Sequence, residues 1–253
     1  MRPLSASAEA VLVGLVQGPA ELLPISSSGH VAALRALLGS ERDAELEVAV
    51  HAGAALALMI GLRGELREAA RRPAFLVAAS VPPALIGLGL ERVVEERLGT
   101  PRTIAAGLVA GSVALVMADR TRTTRGRRAA DVADGLWLGL AQAAALVPGV
   151  SRNGATLAAA RARGFGRTDA NRLSRQVALP VLVGASGLKA RRRGSLSPAL
   201  ALGAAAACAS TLVALRLLPW VDRDRPLAWW AGHRPVAAAA IVGAEVWRSR
   251  PPG

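Results

Sequence analysis

The feature that most constrains this chain is a group of polar residues inside an apolar, helix-forming run at residues 14–30, GLVQGPAELLPISSSGH. The carboxylate of Glu21 lies within the run, and Pro24 ends it. Five small or polar residues follow the break: Ser26, Ser27, Ser28, Gly29 and His30. Because proline lacks an N–H and disfavours helix at the residue before it, the chain must break here.

Two short helices are predicted on either side of this break, over 5–23 and over about 27–38. A serine can cap the start of each helix, and Gly39 can end the second one. Neither helix is long enough to cross a bilayer comfortably. We therefore expect a re-entrant helical hairpin, whose irregular backbone is stable at membrane depth only where it lines a cavity or is buried in protein.

A second stretch, residues 139–156, repeats this layout as GLAQAAALVPGVSRNGAT. Several pairs of like residues lie 125 positions apart: Gln17 and Gln142, Ser26 and Ser151, Gly29 and Gly154, Pro101 and Pro226, and Gly107 and Gly232. The proline of the break slips by one position, from Pro24 to Pro148. Because one offset holds across distant landmarks, we interpret the chain as an internal duplication.

The arginines cluster between apolar runs, which favours a membrane protein over a soluble helical bundle. The 253 residues are 52% hydrophobic, with a mean hydropathy of +0.36 and a formal net charge of +13. The clusters are Arg63, Arg67, Arg71 and Arg72; Arg120, Arg122, Arg125, Arg127 and Arg128; and Arg191, Arg192 and Arg193. A soluble amphipathic helix would instead carry a charge at every third or fourth position. Basic loops of this kind suit an anionic membrane surface.

Six apolar runs approach the length that crosses a bilayer, roughly 17–25 residues. They are predicted at about 45–62, 74–96, 102–119, 169–188, 196–219 and 227–247. The basic loop 120–128 leads into the second hairpin, 131–163. Three crossings per half is an odd number, so the second half is inverted and the two breaks meet near the middle of the membrane. The predicted fold is an all-α integral membrane protein of one domain, 1–253, with half repeats at about 1–120 and 129–250.

The two breaks are predicted to form an anion-binding site. The short helix that follows each break presents unpaired N–H groups and the positive end of its dipole at the break. Arg152 adds a planar fork that suits phosphate oxygens better than a lysine does. Ser151, Asn153 and Thr156 can add donors to a phosphate, or they can simply cap the second half-helix.

Glu21 is the sharpest single signal, because a carboxylate inside an apolar segment costs roughly 2.5–3.5 kcal/mol on insertion scales. It should face a cavity, a cation or a basic partner, and a purely structural ion pair with Arg152 is the alternative. Gln17, one turn earlier, can offer a carbonyl to Mg²⁺ or Ca²⁺. A packing hydrogen bond between the hairpins is the other role open to Gln17.

The serines of the first break have both a capping and a chemical interpretation. Ser26 and Ser28 can cap the helix or bind phosphate. Ser27 is favoured as a nucleophile, because His30 follows it at i+3 on the same helical face. His30 can itself act as the general acid, the general base or the nucleophile. The remaining candidates are assigned to packing or to loop solvation: His51, His233, Asp119, Glu91, Glu95 and Glu96.

Other classes of protein fit the sequence poorly. Aromatic residues make up only 3% of the chain, whereas a nucleic-acid binder would interleave them with its basic stretches. The one cysteine, Cys208, excludes an intrachain disulfide and a thiolate zinc site. Residues 1–20 are not interpreted as a secretory signal, because Gln17 and Pro19 interrupt the apolar part.

With these motifs in place, the sequence resembles the undecaprenyl-diphosphatase family, also called bacitracin-resistance proteins. QGPAELLPISSSGH is similar to that family's first signature, and PGVSRNGAT is similar to its second, Pro-Gly-x-Ser-Arg-Ser-Gly-x-Thr. The family's functional positions match these residues: Gln17, Glu21, Ser26, Ser27, His30, Ser151, Arg152 and Thr156. Asn153 replaces the usual serine, and Gln17 in place of glutamate weakens a metal site built on two carboxylates.

The resemblance implies an integral membrane enzyme that removes the terminal phosphate of undecaprenyl diphosphate and so recycles the lipid carrier for cell-wall synthesis. It also implies a divalent cation and an active site that opens to the outer face of the cytoplasmic membrane. A polyprenyl-phosphate transporter or flippase is the main alternative, because inverted repeats with broken helices are a transporter architecture. A soluble helical protein with phosphate-binding loops is a third. The oligomeric state is open, with a homodimer as one option.

Overall fold

Helices account for nearly all of the regular structure in this computed structural model, which describes residues 4–191 and 197–248 and, within them, not the side chains of 91, 92, 95, 96 and 189–191. The helices in the first half are α1 (Ala6–Leu22), α2 (Ser27–Leu38), α3 (Ala44–Gly61), α4 (Arg63–Ala70), α5 (Pro73–Arg97) and α6 (Pro101–Asp119). In the second half they are α7 (Val132–Ala144), α8 (Arg152–Ala162), α9 (Arg167–Arg191), α10 (Pro198–Ala214), α11 (Leu218–Val221), α12 (Ala228–Ala231) and α13 (Arg234–Arg248). No strand occurs in the described ranges. Arg192 and Arg193 of the third arginine cluster lie outside them.

The helices on either side of the first break form where the sequence predicts them, because the capping residues make the expected hydrogen bonds. Ser5 accepts a hydrogen bond from the N–H of Ala8 at the start of α1, and Ser26 accepts one from Gly29 at the start of α2, both at 3.3 Å. Gly39 ends α2 at a positive φ of 75°, the left-handed conformation that glycine adopts readily. The bounds agree with the predicted 5–23 and 27–38 to within one residue.

The second pair of helices, α7 and α8, repeats this capping scheme. Asp131 and Asp134 form a reciprocal capping box at the start of α7. Ser151 accepts a hydrogen bond of 3.0 Å from the N–H of Gly154, as Ser26 does from Gly29 in the first pair. The predicted equivalence of these positions at the 125-residue offset therefore extends to their cap hydrogen bonds, although the backbone differs, with φ of 78° at Ser26 and −69° at Ser151.

Four candidate membrane spans occur among the described helices, judged by length and apolar composition: Ala44–Gly61, Pro73–Leu90, Pro101–Asp119 and Pro198–Val221. They confirm four of the six predicted apolar runs. The predicted spans at 169–188 and 227–247 are not among them, because α9 carries several charged residues and the second run is broken. Helices α12 and α13 replace a single helix there, with Gly232 and His233 between them.

A short helix, α4, occupies the first arginine cluster, where the sequence analysis expected only a membrane-surface loop. Its apolar side explains this correction, because Ala69 is buried and Leu66 packs against the core. Arg63 and Arg67 lie on the remaining surface of the helix.

The helices on either side of each break pack on helices of the other half. Helix α1 packs against α10, and α7 packs against α5; likewise, α2 packs against α13, and α8 packs against α6. Helices α3 and α9 contact each other between these pairs. The packing thus brings the polar breaks between α1 and α2 and between α7 and α8 into the interior of the protein.

Small residues allow α3 to approach α10 closely. A Cβ at Gly53 would lie 2.8 Å from the carbonyl carbon of Ala204 and 3.0 Å from its Cα. Such small-residue contacts are typical of helix pairs in membranes, where van der Waals packing drives association.

We expect Gly53→Ala to lower the free energy of unfolding by about 1–3 kcal/mol, the usual cost of overpacking a dense interface. The measurement is the melting temperature of the protein purified in detergent. Gly64→Ala in α4 is the matched control, because no atom lies within 4 Å of the added Cβ there. Equal melting temperatures for the two variants would contradict the close α3–α10 contact.

Candidate active site

The two breaks lie against each other and are joined by hydrogen bonds between residues more than 100 positions apart. Asn153 donates its side-chain amide to the carbonyl of Leu22 at 2.6 Å. The N–H of Gly149 donates to the hydroxyl of Ser28 at 3.1 Å. Asn153 therefore bonds directly to the end of α1, and phosphate binding by Asn153 stays a prediction.

Glu21 lies at this junction with only 6% of its side chain exposed. One carboxylate oxygen pairs with the Arg152 guanidinium. The other accepts hydrogen bonds from the amide nitrogen of Gln17 and from the hydroxyl of Ser27, each at 2.9 Å. The predicted contact between Glu21 and Arg152 across the two halves is thus observed. It is compatible both with a structural ion pair and with a reactive centre.

A cavity of about 590 Å³ opens from this junction, within the range of small-molecule sites. Its inner end is lined by the polar residues of both breaks: Glu21, Ser26, Ser27, Ser28, Ser151, Arg152 and Asn153. One wall is apolar and includes Leu146, Val181 and Leu182. Three arginines also line the cavity: Arg35, Arg42 and Arg248. The cavity thus combines a polar end with an apolar wall.

Arg152 is fixed in position by both ends of its guanidinium. One terminal nitrogen donates to the carbonyl of Ala178 at 3.2 Å, and the other pairs with Glu21. Because Arg152 is also the first residue of α8, it adds its charge to the positive end of that helix dipole. The arrangement directs several positive groups at the inner end of the cavity.

The three serines of the first break have different partners. Ser26 caps α2 and is the one non-glycine residue with a positive φ, 78°, in the described chain. Ser28 bonds to the second break through Gly149. Ser27 alone of the three donates to a carboxylate, that of Glu21. A hydroxyl beside a base that can take its proton is the usual arrangement of an activated nucleophile.

His30 lies outside the wall of this cavity. Its Nδ1 is 2.9 Å from the carbonyl of Ser26 one turn earlier. The ring packs against that of His233, with centroids 5.2 Å apart. His233, assigned to packing from the sequence, does pack, and its partner is His30. A direct catalytic role for His30 stays a prediction that this position does not favour.

Thr156 and Gln17 also lie behind the lining residues. Thr156 is fully buried, donates to the carbonyl of Arg152 at 2.9 Å, and bonds to Ser174 of α9. It therefore holds α8 in place, and phosphate binding by Thr156 stays a prediction. Gln17 is 1% exposed and orients Glu21 with its amide nitrogen, so its predicted carbonyl ligand to a metal would require the amide to turn.

No group of three metal-ligating side chains occurs in the described part of the chain. Glu21 offers one carboxylate, and its oxygens already accept from Arg152, Gln17 and Ser27. Mg²⁺ is often held by one carboxylate together with substrate phosphates. Glu21 fits that kind of site, in which the substrate supplies most of the ligands.

His51 belongs to this site, although its position in the sequence predicts only a packing role. It lines the cavity, with Nε2 3.7 Å from a carboxylate oxygen of Glu21, and its Nδ1 is 2.7 Å from the carbonyl of Glu47. A signal was present, because Gln176 lies 125 positions later and matches it in the repeat. A polar residue therefore occupies the matching position of α3 and of α9.

Comparison with known proteins assigns this chain to a family. Residues 10–240 match the sequence profile of the bacitracin resistance protein BacA. The chain belongs to the BacA family. This BacA-family chain is 37% identical to an undecaprenyl-diphosphatase of Geobacter sulfurreducens, with 92% of the chain and 96% of the relative covered.

Two further curated relatives of this BacA-family protein have the same name, undecaprenyl-diphosphatase. The one from Pelotomaculum thermopropionicum is 33% identical, over 92% of this chain and 95% of the relative. The one from Geobacter metallireducens is 34% identical, over 96% of this chain and 98% of the relative. The similarity therefore covers both breaks and the helices between them.

Proposed function

We propose that this protein hydrolyses undecaprenyl diphosphate to undecaprenyl phosphate and inorganic phosphate, and so recycles the lipid carrier for cell-wall synthesis. The observation that carries the proposal is the contact of Glu21 with both Ser27 and Arg152 at the inner end of one cavity. The names of the relatives support the same substrate. The apolar wall beside the polar end suits a lipid that carries an anionic head group.

The chemistry follows from these positions. Arg152 and the N–H groups at the starts of α2 and α8 bind the diphosphate and stabilise the charge that develops on the transferred phosphoryl group. Ser27 attacks the terminal phosphorus while Glu21 accepts its proton, and the bond to the bridging oxygen breaks to release undecaprenyl phosphate. Water then hydrolyses the phosphoserine to inorganic phosphate. In the alternative route, His30 is the nucleophile and forms a phosphohistidine.

A divalent cation, Mg²⁺ or Ca²⁺, completes the proposed site. When bound with the diphosphate, it neutralises phosphate charge. Glu21 would hold it, while Gln17 and Ser27 keep the carboxylate in orientation. Mn²⁺ binding followed by electron paramagnetic resonance, with and without pyrophosphate, tests this step independently of turnover.

We also propose that the chain is an inverted repeat with two re-entrant hairpins. The cross-packing of equivalent helices supports this, since α1 on α10 and α7 on α5 are the same contact in the two halves. The equal caps at Ser26 and Ser151 support it as well. A homodimer stays a prediction.

We place the protein in the cytoplasmic membrane with the cavity open to the outer face. Val94 near the end of α5 lines the cavity, so the start of α5, at Arg72, lies at the other end of a 25-residue helix. Arg72 contacts the loop 120–128 through the carbonyl of Arg127. Arginine-rich loops favour the cytoplasmic side, which leaves the cavity on the opposite side.

The test of the proposed function is phosphate release by the purified protein in detergent, given polyprenyl diphosphate and Mg²⁺. Free phosphate in proportion to enzyme is expected. Substrate binding without phosphate release would refute the hydrolase and support transport. Extraction from membranes by salt alone would refute the membrane assignment.

His51→Ala is expected to lower kcat/KM by about tenfold, because His51 lines the cavity beside Glu21 and its loss leaves space for disordered water. His51→Gln keeps a polar group of similar reach and should retain most of the activity. The measurement is the initial rate of phosphate release over a range of substrate concentrations. Identical rates for wild type and His51→Ala would remove His51 from the site.

A further inference from the structure

Arg234, the first residue of α13, is a fully buried guanidinium, 0% exposed. One terminal nitrogen donates to the carbonyl of Pro24, in the first break. The nitrogens Nε and Nη1 have no hydrogen-bond partner, and no carboxylate within 4 Å pairs with this arginine in the described ranges. A buried charge without an acidic partner is costly, and the groups that this guanidinium contacts indicate what it does.

Two glycines leave room for this guanidinium. A Cβ at Gly111 of α6 would lie 2.7 Å from Nη1 of Arg234, and one at Gly154 would collide with Nη2. Gly154 belongs to the first turn of α8, and its N–H donates to the hydroxyl of Ser151, the capping residue. Arg234 therefore touches the first break at Pro24 and the second break at Gly154.

The surrounding start of α13 is tied to the same region. His233 packs on His30 of α2, and the carbonyl of Ala231 accepts a hydrogen bond of 3.2 Å from Ser112 of α6. This segment thus contacts α2 directly, and it also contacts α6, on which α8 packs. Arg234 itself is not among the residues that line the cavity, so it can act only through the groups that it holds.

We propose that Arg234 is a positioning residue for the diphosphate site. Its guanidinium fixes the distance between the two breaks, and its uncompensated charge adds to the positive end of α8. Both effects favour a bound anion, because charges attract each other more strongly in the low-dielectric interior of a protein than in water. The inference rests on the proposed function for its substrate, but its anion-binding part concerns any diphosphate.

The first test compares Arg234→Met with Arg234→Lys by inorganic pyrophosphate binding in calorimetry and by phosphate release. We expect Arg234→Met to weaken pyrophosphate binding and to raise KM by at least about tenfold, and Arg234→Lys to recover part of the binding because it restores the charge. Arg216→Met, at an exposed arginine, is the control for total charge. Wild-type binding and KM in a folded Arg234→Met enzyme would overturn the proposal.

The second test remains informative if Arg234→Met folds poorly. Gly154→Ala alone should lower kcat/KM by at least about tenfold, because its methyl group collides with Arg234. In an Arg234→Ala background the same change should cost less than about twofold more, since the space is then open. Independent effects that multiply would overturn the contact. Pyrophosphate binding that depends on Arg234 in a protein that releases no phosphate would refute only the proposed hydrolysis.

Discussion

Replacing Arg152 by alanine is expected to lower kcat/KM for the lipid diphosphate by at least about 100-fold, in line with the loss of one preorganised donor. The guanidinium is held by Ala178 and Glu21, so it needs no reorganisation when charge develops on the phosphoryl group. The measurement is phosphate release by the folded variant in detergent. Arg152→Lys should recover little, because an ammonium group cannot bind two phosphate oxygens side by side.

Two control experiments distinguish phosphate binding by Arg152 from its ion pair with Glu21. Arg120→Ala removes an exposed arginine and should leave kcat/KM unchanged. If Arg152 serves only to neutralise Glu21, Glu21→Gln together with Arg152→Gln would fold and keep near-normal activity, because no charge is then left unpaired. Near-normal phosphate release by folded Arg152→Ala enzyme would remove this residue from the mechanism.

The helices of both breaks could be predicted from sequence because their signals are local. Pro24, the serine caps and Gly39 define α1 and α2 without reference to any other part of the chain. The same holds for Ser151 at the start of α8. The ion pair of Glu21 with Arg152 followed from the duplication, which predicted that two distant breaks meet.

The remaining features depend on tertiary packing, which the pattern of apolar runs does not contain. The sequence of run 227–247 predicts one span, but the structure breaks it at Gly232 and His233, and Arg234 directly after this break bonds to Pro24. Thr156 cannot be distinguished by its residue type from a phosphate ligand, yet its hydroxyl is committed to α9 through Ser174. His51 lies within a predicted span away from either break, so its sequence position predicts packing and its approach to Glu21 depends on the tertiary structure.

The contact of Ser27 with Glu21 predicts a second large effect on catalysis. Ser27→Ala is expected to lower kcat by at least about 1000-fold, since loss of the nucleophile removes the covalent route and so exceeds the usual contribution of proton transfer alone. His30→Ala should lower kcat by only about tenfold, because the ring faces His233 and the carbonyl of Ser26 rather than the cavity. The measurement is single-turnover phosphate release by the two variants beside the wild type.

A phosphoenzyme trap decides between the two nucleophiles. With label in the terminal phosphate, rapid quenching of the wild type should give a protein adduct that survives acid, as a phosphoserine does, and Ser27→Ala should give none. An acid-labile adduct that disappears in His30→Ala would assign the attack to the imidazole instead. That result would require the ring to leave His233 and turn towards Arg152, and His233→Ala, which removes the packing partner, should then raise the rate rather than lower it.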